Sequence, residues 1–143
     1  MAHKYITRQL FFLLLTVNCL LFTANAQTIE NSNHSTSGYI NSNGIIENSN
    51  HNTAGYIQSN GTIENSSHST IGYIQSNGTI ENSSHSTVGY VQDNGTVENS
   101  SHATIGYIKK DGTVENSSHS TIGYAKGVDM KWAAVVYFFF RFN

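Results

Sequence analysis

The sequence of 143 residues contains no proline, a single cysteine and few charged side chains, which make up 11% of the chain. So low a charged fraction argues against a disordered tail and against a coiled coil. Seven lysine and arginine residues stand against nine aspartate and glutamate residues, so the chain lacks the basic surface that binds nucleic acid. Asparagine, serine, threonine and glycine supply the polarity, which is typical of turn-rich β structure. The length predicts one domain.

Residues 1–26 have the features of a signal peptide. A short basic region precedes an apolar run from Leu10 to Phe22, and the small-residue pattern Ala24-Asn25-Ala26 follows. The apolar run is too short to cross a bilayer as a helix, for which about 20 residues are needed. We therefore expect cleavage before Gln27 and export to the periplasm, the outer surface or the medium. The exported chain would contain no cysteine, which excludes disulfides and thiolate chemistry.

Residues 27–143 are predicted to form a single repeat domain. Six copies of a 17-residue unit fill residues 28–129, and Thr62–Gly78 is a clear copy with the sequence TIENSSHSTIGYIQSNG. Such self-similarity indicates supersecondary units that can bury their apolar faces only against one another. One tyrosine, one histidine and one glutamate recur in every copy: Tyr39, Tyr56, Tyr73, Tyr90, Tyr107, Tyr124; His34, His51, His68, His85, His102, His119; Glu30, Glu47, Glu64, Glu81, Glu98, Glu115.

Each copy has the pattern of a β-hairpin. Two short runs of β-branched and aromatic residues, Ile71–Ile74 and Thr79-Ile80, flank an Asn-Gly pair, which is a strong hairpin signal. The signal occurs at Asn43-Gly44, Asn60-Gly61, Asn77-Gly78, Asn94-Gly95 and Asp111-Gly112. We expect five hairpins joined by polar linkers of the type Asn-Ser-Ser-His-Ser.

A small hairpin is only marginally stable alone, but identical hairpins can bury their apolar residues together around a common axis, where each supplies one part of the core. The sequence therefore predicts an all-β fold of five β-hairpin petals around a pseudo-symmetry axis. The glycine before each tyrosine, such as Gly72, fits a position where a neighbouring ring or backbone approaches closely. A β-solenoid is the alternative, but Asn-Gly between β runs reverses a strand, whereas a solenoid coil needs bends.

The phrase Gly-Tyr-Ile-x-x-Asn/Asp-Gly-Thr-Ile/Val recurs along the chain, and the sequence ends in Trp-Ala-Ala…Phe-Phe-Phe. In these features, and in its export signal, the sequence resembles the bacterial five-fold beta-flower proteins over residues 28–142. The resemblance implies five hairpin petals around an axis in an exported protein. It implies no established activity and supplies no catalytic residue.

The C-terminal segment, residues 130–143, breaks the repeat. Nine consecutive apolar residues, Trp132–Phe140, lie between Lys131 and Arg141. Nine residues are too few for a membrane helix. We expect this segment to fill the core and to close the ring, with the first and last half-units meeting, because unpaired strand edges invite aggregation.

The repeated histidines invite a metal-site interpretation. A rotational array would place His34, His51, His68, His85, His102 and His119 in a ring, each four residues after a glutamate. Imidazole and carboxylate bind divalent metals, but a catalytic metal site needs an asymmetric ligand set with an open position. We therefore expect each of these histidines to cap a linker by hydrogen bonding or to be solvated, and we predict no catalytic residue, no metal and no cofactor.

The repeated tyrosines suggest ligand stacking. Regular aromatic residues amid asparagine, glutamine and serine are typical of a glycan-binding face, although tyrosines also pack between petals with only the hydroxyl exposed. The sequence thus predicts an exported structural or binding module that is not an enzyme. Its expected partner is a glycan or cell-envelope component, without a transmembrane segment in the mature chain. The alternative function is a metal-dependent hydrolase or metal-binding protein that uses the repeated histidine and glutamate.

Overall fold

The computed structural model describes residues 26–142. Twelve short strands are followed by one α-helical turn, α1 (Met130–Ala134), and one π-helical turn, Val135–Phe139. The strands are β1 (Gln27–Asn31), β2 (Thr36–Ile40), β3 (Ile45–Asn48), β4 (Thr53–Ile57), β5 (Thr62–Asn65), β6 (Thr70–Ile74), β7 (Thr79–Asn82), β8 (Thr87–Val91), β9 (Thr96–Asn99), β10 (Thr104–Ile108), β11 (Thr113–Asn116) and β12 (Thr121–Tyr124).

The strands form one closed antiparallel barrel in which sequence neighbours are also spatial neighbours. β1 pairs with β12, through Glu30 opposite Tyr124 and Asn31 opposite Gly123, so the first and last half-units meet as the sequence predicted. The all-β class and the hairpin architecture are confirmed. All pairings are antiparallel, which is the arrangement of hairpins and not of the alternative solenoid.

The Asn-Ser-Ser-His-Ser segments, which the sequence predicted only as polar linkers, are tight turns. The His68 backbone N–H donates to Asn65 O at 3.0 Å, and the Asn65 N–H donates to Ser69 O at 3.0 Å. At the opposite end of the barrel the Gly78 backbone N–H donates an equivalent hydrogen bond to Gln75 O at 3.0 Å. Both residues have positive φ, 58° for His68 and 87° for Gly78. Histidine therefore takes, at one end, the position that glycine takes at the other.

The side chains alternate between the inside and the outside of the barrel. In the third copy Ile63 is fully buried and Glu64 is partly exposed, and Ile63 pairs with Gly72 on the next strand. The register shifts at Glu64, which pairs with Thr70, so Ile71 is an extra residue in a β-bulge. Repetition of this pattern lines the interior with apolar residues: Ile29, Ile40, Ile46, Ile57, Ile63, Ile80, Val91, Val97, Ile108 and Val114.

The C-terminal segment packs against this apolar lining. Asp129 caps α1 by accepting hydrogen bonds from the Lys131 and Trp132 N–H groups, and Ala133, Ala134 and Val135 are fully buried. The rings that follow lie against glycines on the five strands β4, β6, β8, β10 and β12. At Gly72, a Cβ would lie within 3 Å of the Phe140 ring and 2.5 Å from Glu81 O. A segment that contacts the inner faces of five strands spread around the barrel in this way lies inside the ring of strands. The predicted close approach at Gly72 is confirmed.

Candidate binding sites

Tyrosine, histidine and glutamate of neighbouring copies form one unit on the outside of the barrel. The rings of Tyr73 and His85 stack with centroids 4.2 Å apart and an interplanar angle of 12°. His85 Nδ1 lies 3.1 Å from Glu81 Oε2, and Glu81 pairs with Tyr73 across the two strands. The turn between β7 and β8 thus folds the histidine back over the tyrosine of the preceding strand.

The unit occurs six times around the barrel, with centroid distances between 4.1 and 4.4 Å. His34 stacks on Tyr124, which carries the arrangement across the β1–β12 closure. The stacked pairs are Tyr39–His51, Tyr56–His68, Tyr73–His85, Tyr90–His102, Tyr107–His119 and Tyr124–His34. We call these six units, each with its glutamate, the exterior units.

Histidine, and not tyrosine, is the more exposed ring of each exterior unit. The histidine side chains are 63–66% exposed, whereas the tyrosines are only partly exposed and have one ring face covered by the imidazole. The sequence identified both residues but did not show that they stack. The signal was the constant spacing of 12 residues from each of the first five repeated tyrosines to the next histidine. This spacing becomes a contact once the segment before the histidine is recognised as a tight turn.

Hydrogen bonds lower the pKa of two of these glutamates, Glu64 and Glu115. The His68 side chain lowers the pKa of Glu64, and Gln58, whose amide donates to Glu64 Oε2 at 3.1 Å, lowers it further. Glu115 is the most buried of the six, and its pKa is lowered first by Lys109 and then by His119. Lys109 stands where the three preceding copies have a glutamine, so a salt bridge replaces their amide hydrogen bond.

The histidines are not gathered into a metal centre. Within residues 26–142, no group of three or more histidine, cysteine, aspartate or glutamate side chains could hold a metal ion. Each of the six repeated histidines lies on the outer surface of its own turn, with Nδ1 directed at the glutamate of the same copy. The structure therefore brings histidine to tyrosine and glutamate but not to other histidines. No helix in the part of the chain described here is long and apolar enough to span a membrane.

A small barrel of repeated hairpins around an aromatic segment defines a structural or binding module. The model of the 5-fold beta-flower protein family matches residues 26–141, and the chain belongs to this family. No curated protein and no solved structure matches the chain. This match confirms the resemblance to beta-flower proteins that the recurring Gly-Tyr phrase indicated.

Proposed function

We propose that the protein is an exported, non-catalytic module that binds glycans through the six exterior units. The observation that carries the proposal is their repetition: six stacked histidine–tyrosine pairs surround one barrel, each beside a carboxylate. An exposed ring face packs against the apolar face of a sugar, and carboxylate and amide groups accept and donate hydrogen bonds to its hydroxyls. The exposed imidazole provides the ring face, and the tyrosine beneath holds it in place.

Six equivalent weak contacts suit a repetitive ligand. Binding of one unit to a polysaccharide raises the effective concentration of the next sugar at the next unit, so avidity exceeds the affinity of one contact. The basic start and apolar run of residues 1–26 support export, which would bring the module to the cell envelope, where such polymers occur.

A glycan array probed with the purified protein tests this function. The informative variant changes all six histidines to asparagine, because asparagine tolerates the positive φ of these turns but lacks the ring. We expect the variant to be less stable than the wild type, because it loses the stack and the hydrogen bond of every exterior unit, but to keep its β-sheet circular dichroism at low temperature and to lose glycan binding. The matched control changes the six serines two residues before each histidine to alanine and should keep binding: Ser32, Ser49, Ser66, Ser83, Ser100 and Ser117. Retained binding in the histidine variant, or no bound glycan for the wild type, would contradict the proposal.

A further inference from the structure

The barrel has six inward-facing glycines, but the C-terminal segment supplies only five rings to cover them. Rings lie against five of these glycines, in the pairs Phe142–Gly55, Phe140–Gly72, Phe139–Gly89, Phe138–Gly106 and Tyr137–Gly123. At Gly38 a Cβ would meet only backbone atoms of Glu47 and Asn48 as its three nearest neighbours. One of six equivalent positions on the inner wall is therefore left without a ring.

A cavity of about 400 Å³ occupies this position. Ile29, Ile46 and Gly38 form its barrel side, and Tyr137 and Phe142 are among the rings that line it from the C-terminal segment. An apolar cavity of about 150 Å³ is large enough to hold one benzene molecule. The space at Gly38 thus accommodates a ring together with a substituent.

The sequence departs from the repeat at the same place. Ser37 occupies the bulge position that is apolar in every other copy, namely Ala54, Ile71, Val88, Ile105 and Ile122. Ser37 is exposed and lines the cavity. The copy that lacks a covering ring is therefore also the copy that offers a hydroxyl in place of a methyl group.

A positively charged side chain, that of Arg141, also lines the cavity. Arg141 is exposed and lies between the two rings of Phe140 and Phe142 in sequence. A guanidinium group recognises a carboxylate through two parallel hydrogen bonds. Glu47, the acidic residue of the lining, is already paired with His51 at 3.2 Å.

We propose that this cavity binds a small aromatic acid. Its ring would take the place against Gly38 that protein rings take against the other five glycines, and its carboxylate would meet Arg141 and the Ser37 hydroxyl. The site lies at Gly38 on the inner wall. Tyr39 and Glu47 of one exterior unit also line it, whereas the other five exterior units do not.

Titration of the full protein with phenylacetate, followed by calorimetry and by NMR, tests the proposal. We expect one site per chain with a Kd on the order of 1 mM or tighter, as suits a ligand of this size. Cyclohexylacetate, with equal charge but no flat ring, should bind at least about tenfold more weakly. Ser37→Ile, which restores the residue of other copies, should abolish binding. Its control, Val88→Ile, makes a similar change where a ring already covers the glycine and should leave binding unchanged.

Arg141→Gln should weaken phenylacetate but not the uncharged benzyl alcohol, whereas Lys126→Gln should affect neither. The absence of saturable phenylacetate binding up to about 10 mM, or equal binding by Ser37→Ile, would overturn the proposal. Dimerisation that Ser37→Ile abolishes would overturn it too, because the cavity would then hold a side chain of a second copy. A variant in which the five repeated histidines other than His51 are changed to asparagine should still bind phenylacetate, because His51 alone pairs with Glu47 of the lining. Failure of the glycan proposal therefore leaves this result interpretable.

Discussion

The histidine of each copy combines three roles at a single residue. Its backbone has a φ of about 60° in all six copies, its ring covers a tyrosine, and its Nδ1 faces a glutamate. A left-handed conformation is unfavourable for a residue with a Cβ, and glycine would relieve that strain. The side-chain contacts offset this cost. The repeat retains histidine where backbone conformation alone favours glycine.

Because backbone strain at His68 opposes its side-chain contacts, we expect a glycine variant at this position to be more stable than an alanine variant. His68→Ala removes the stack on Tyr56 and the hydrogen bond to Glu64 but keeps the strained Cβ, so we expect it to lower the free energy of unfolding by about 1–2 kcal/mol. His68→Gly loses the same contacts but relieves the strain, so it should be more stable than the alanine variant by about 1 kcal/mol. Urea unfolding of both variants measures the difference.

Ser67 provides the control for this comparison. Among the described residues the non-glycine positions with positive φ are the six histidines, so Ser67 lies outside the left-handed region. There, Ser67→Gly should be less stable than Ser67→Ala, because glycine loses more conformational freedom on folding. The same order at both positions would show that the strain at His68 does not contribute to stability.

At the scale of elements, each strand has only four or five residues and depends on its turns and neighbours. The hairpins could be predicted because Asn-Gly between β runs such as Ile71–Ile74 and Thr79-Ile80 has a specific backbone requirement. The turns at His68 and its equivalents could not, because histidine in the glycine position is not a turn signal. Because histidine replaces glycine there, neither the second set of turns nor the stacking of histidine on tyrosine could be predicted.

The β1–β12 closure is the element pair with the least strand pairing, and Tyr137 reinforces it. Only two residue pairs join these strands, whereas hairpins such as β6–β7 have three. The Tyr137 hydroxyl lies 2.6 Å from Glu30 O and 2.9 Å from Tyr124 O, one carbonyl on each strand. Tyrosine stands at this point of the aromatic segment, whereas phenylalanine covers the other four glycines.

We expect this contact to make the protein sensitive to alkaline pH. Burial raises the pKa of Tyr137 to about 12, above its ordinary value of 10.0. Because the folded state favours the neutral phenol, its contribution to stability is present below pH 10 and is lost as the pH rises from 10 to 12. Tyr137→Phe should lower stability at pH 7 by about 1 kcal/mol but should remove this part of the alkaline loss.

Thermal unfolding at several pH values between 7 and 12 measures the effect, with Tyr73→Phe on the exterior as the control. The control should keep the steep alkaline decline that Tyr137→Phe lacks. Parallel curves for the wild type and Tyr137→Phe would contradict the assignment of this decline to the closure.

On the scale of the whole molecule, a closed ring removes every strand edge but leaves an interior to fill. The repeats contribute isoleucine, valine and glycine inwards, and five of the six glycines at the inner wall are covered by rings from outside the repeat. The role of Trp132–Phe140 as core could be predicted from its length and its lack of repeat pattern. The mismatch between six glycines and five rings could not, because it depends on which side chain faces which hairpin.

Deletion of residues 132–143 tests whether the barrel depends on this segment. The deletion removes the buried residues Ala133, Ala134 and Val135 together with all five rings, and it exposes the apolar wall of every hairpin. Since each repeat cannot bury this face alone, we expect an insoluble product or a collapsed state that binds a hydrophobic dye and unfolds without cooperativity. The matched control, Trp132→Ala in the full chain, should stay soluble and cooperative, because the residues and rings that cover the wall remain. A truncated protein that is soluble, monomeric and cooperatively folded would show that the twelve strands are sufficient, and the aromatic segment would then be available to contact a partner.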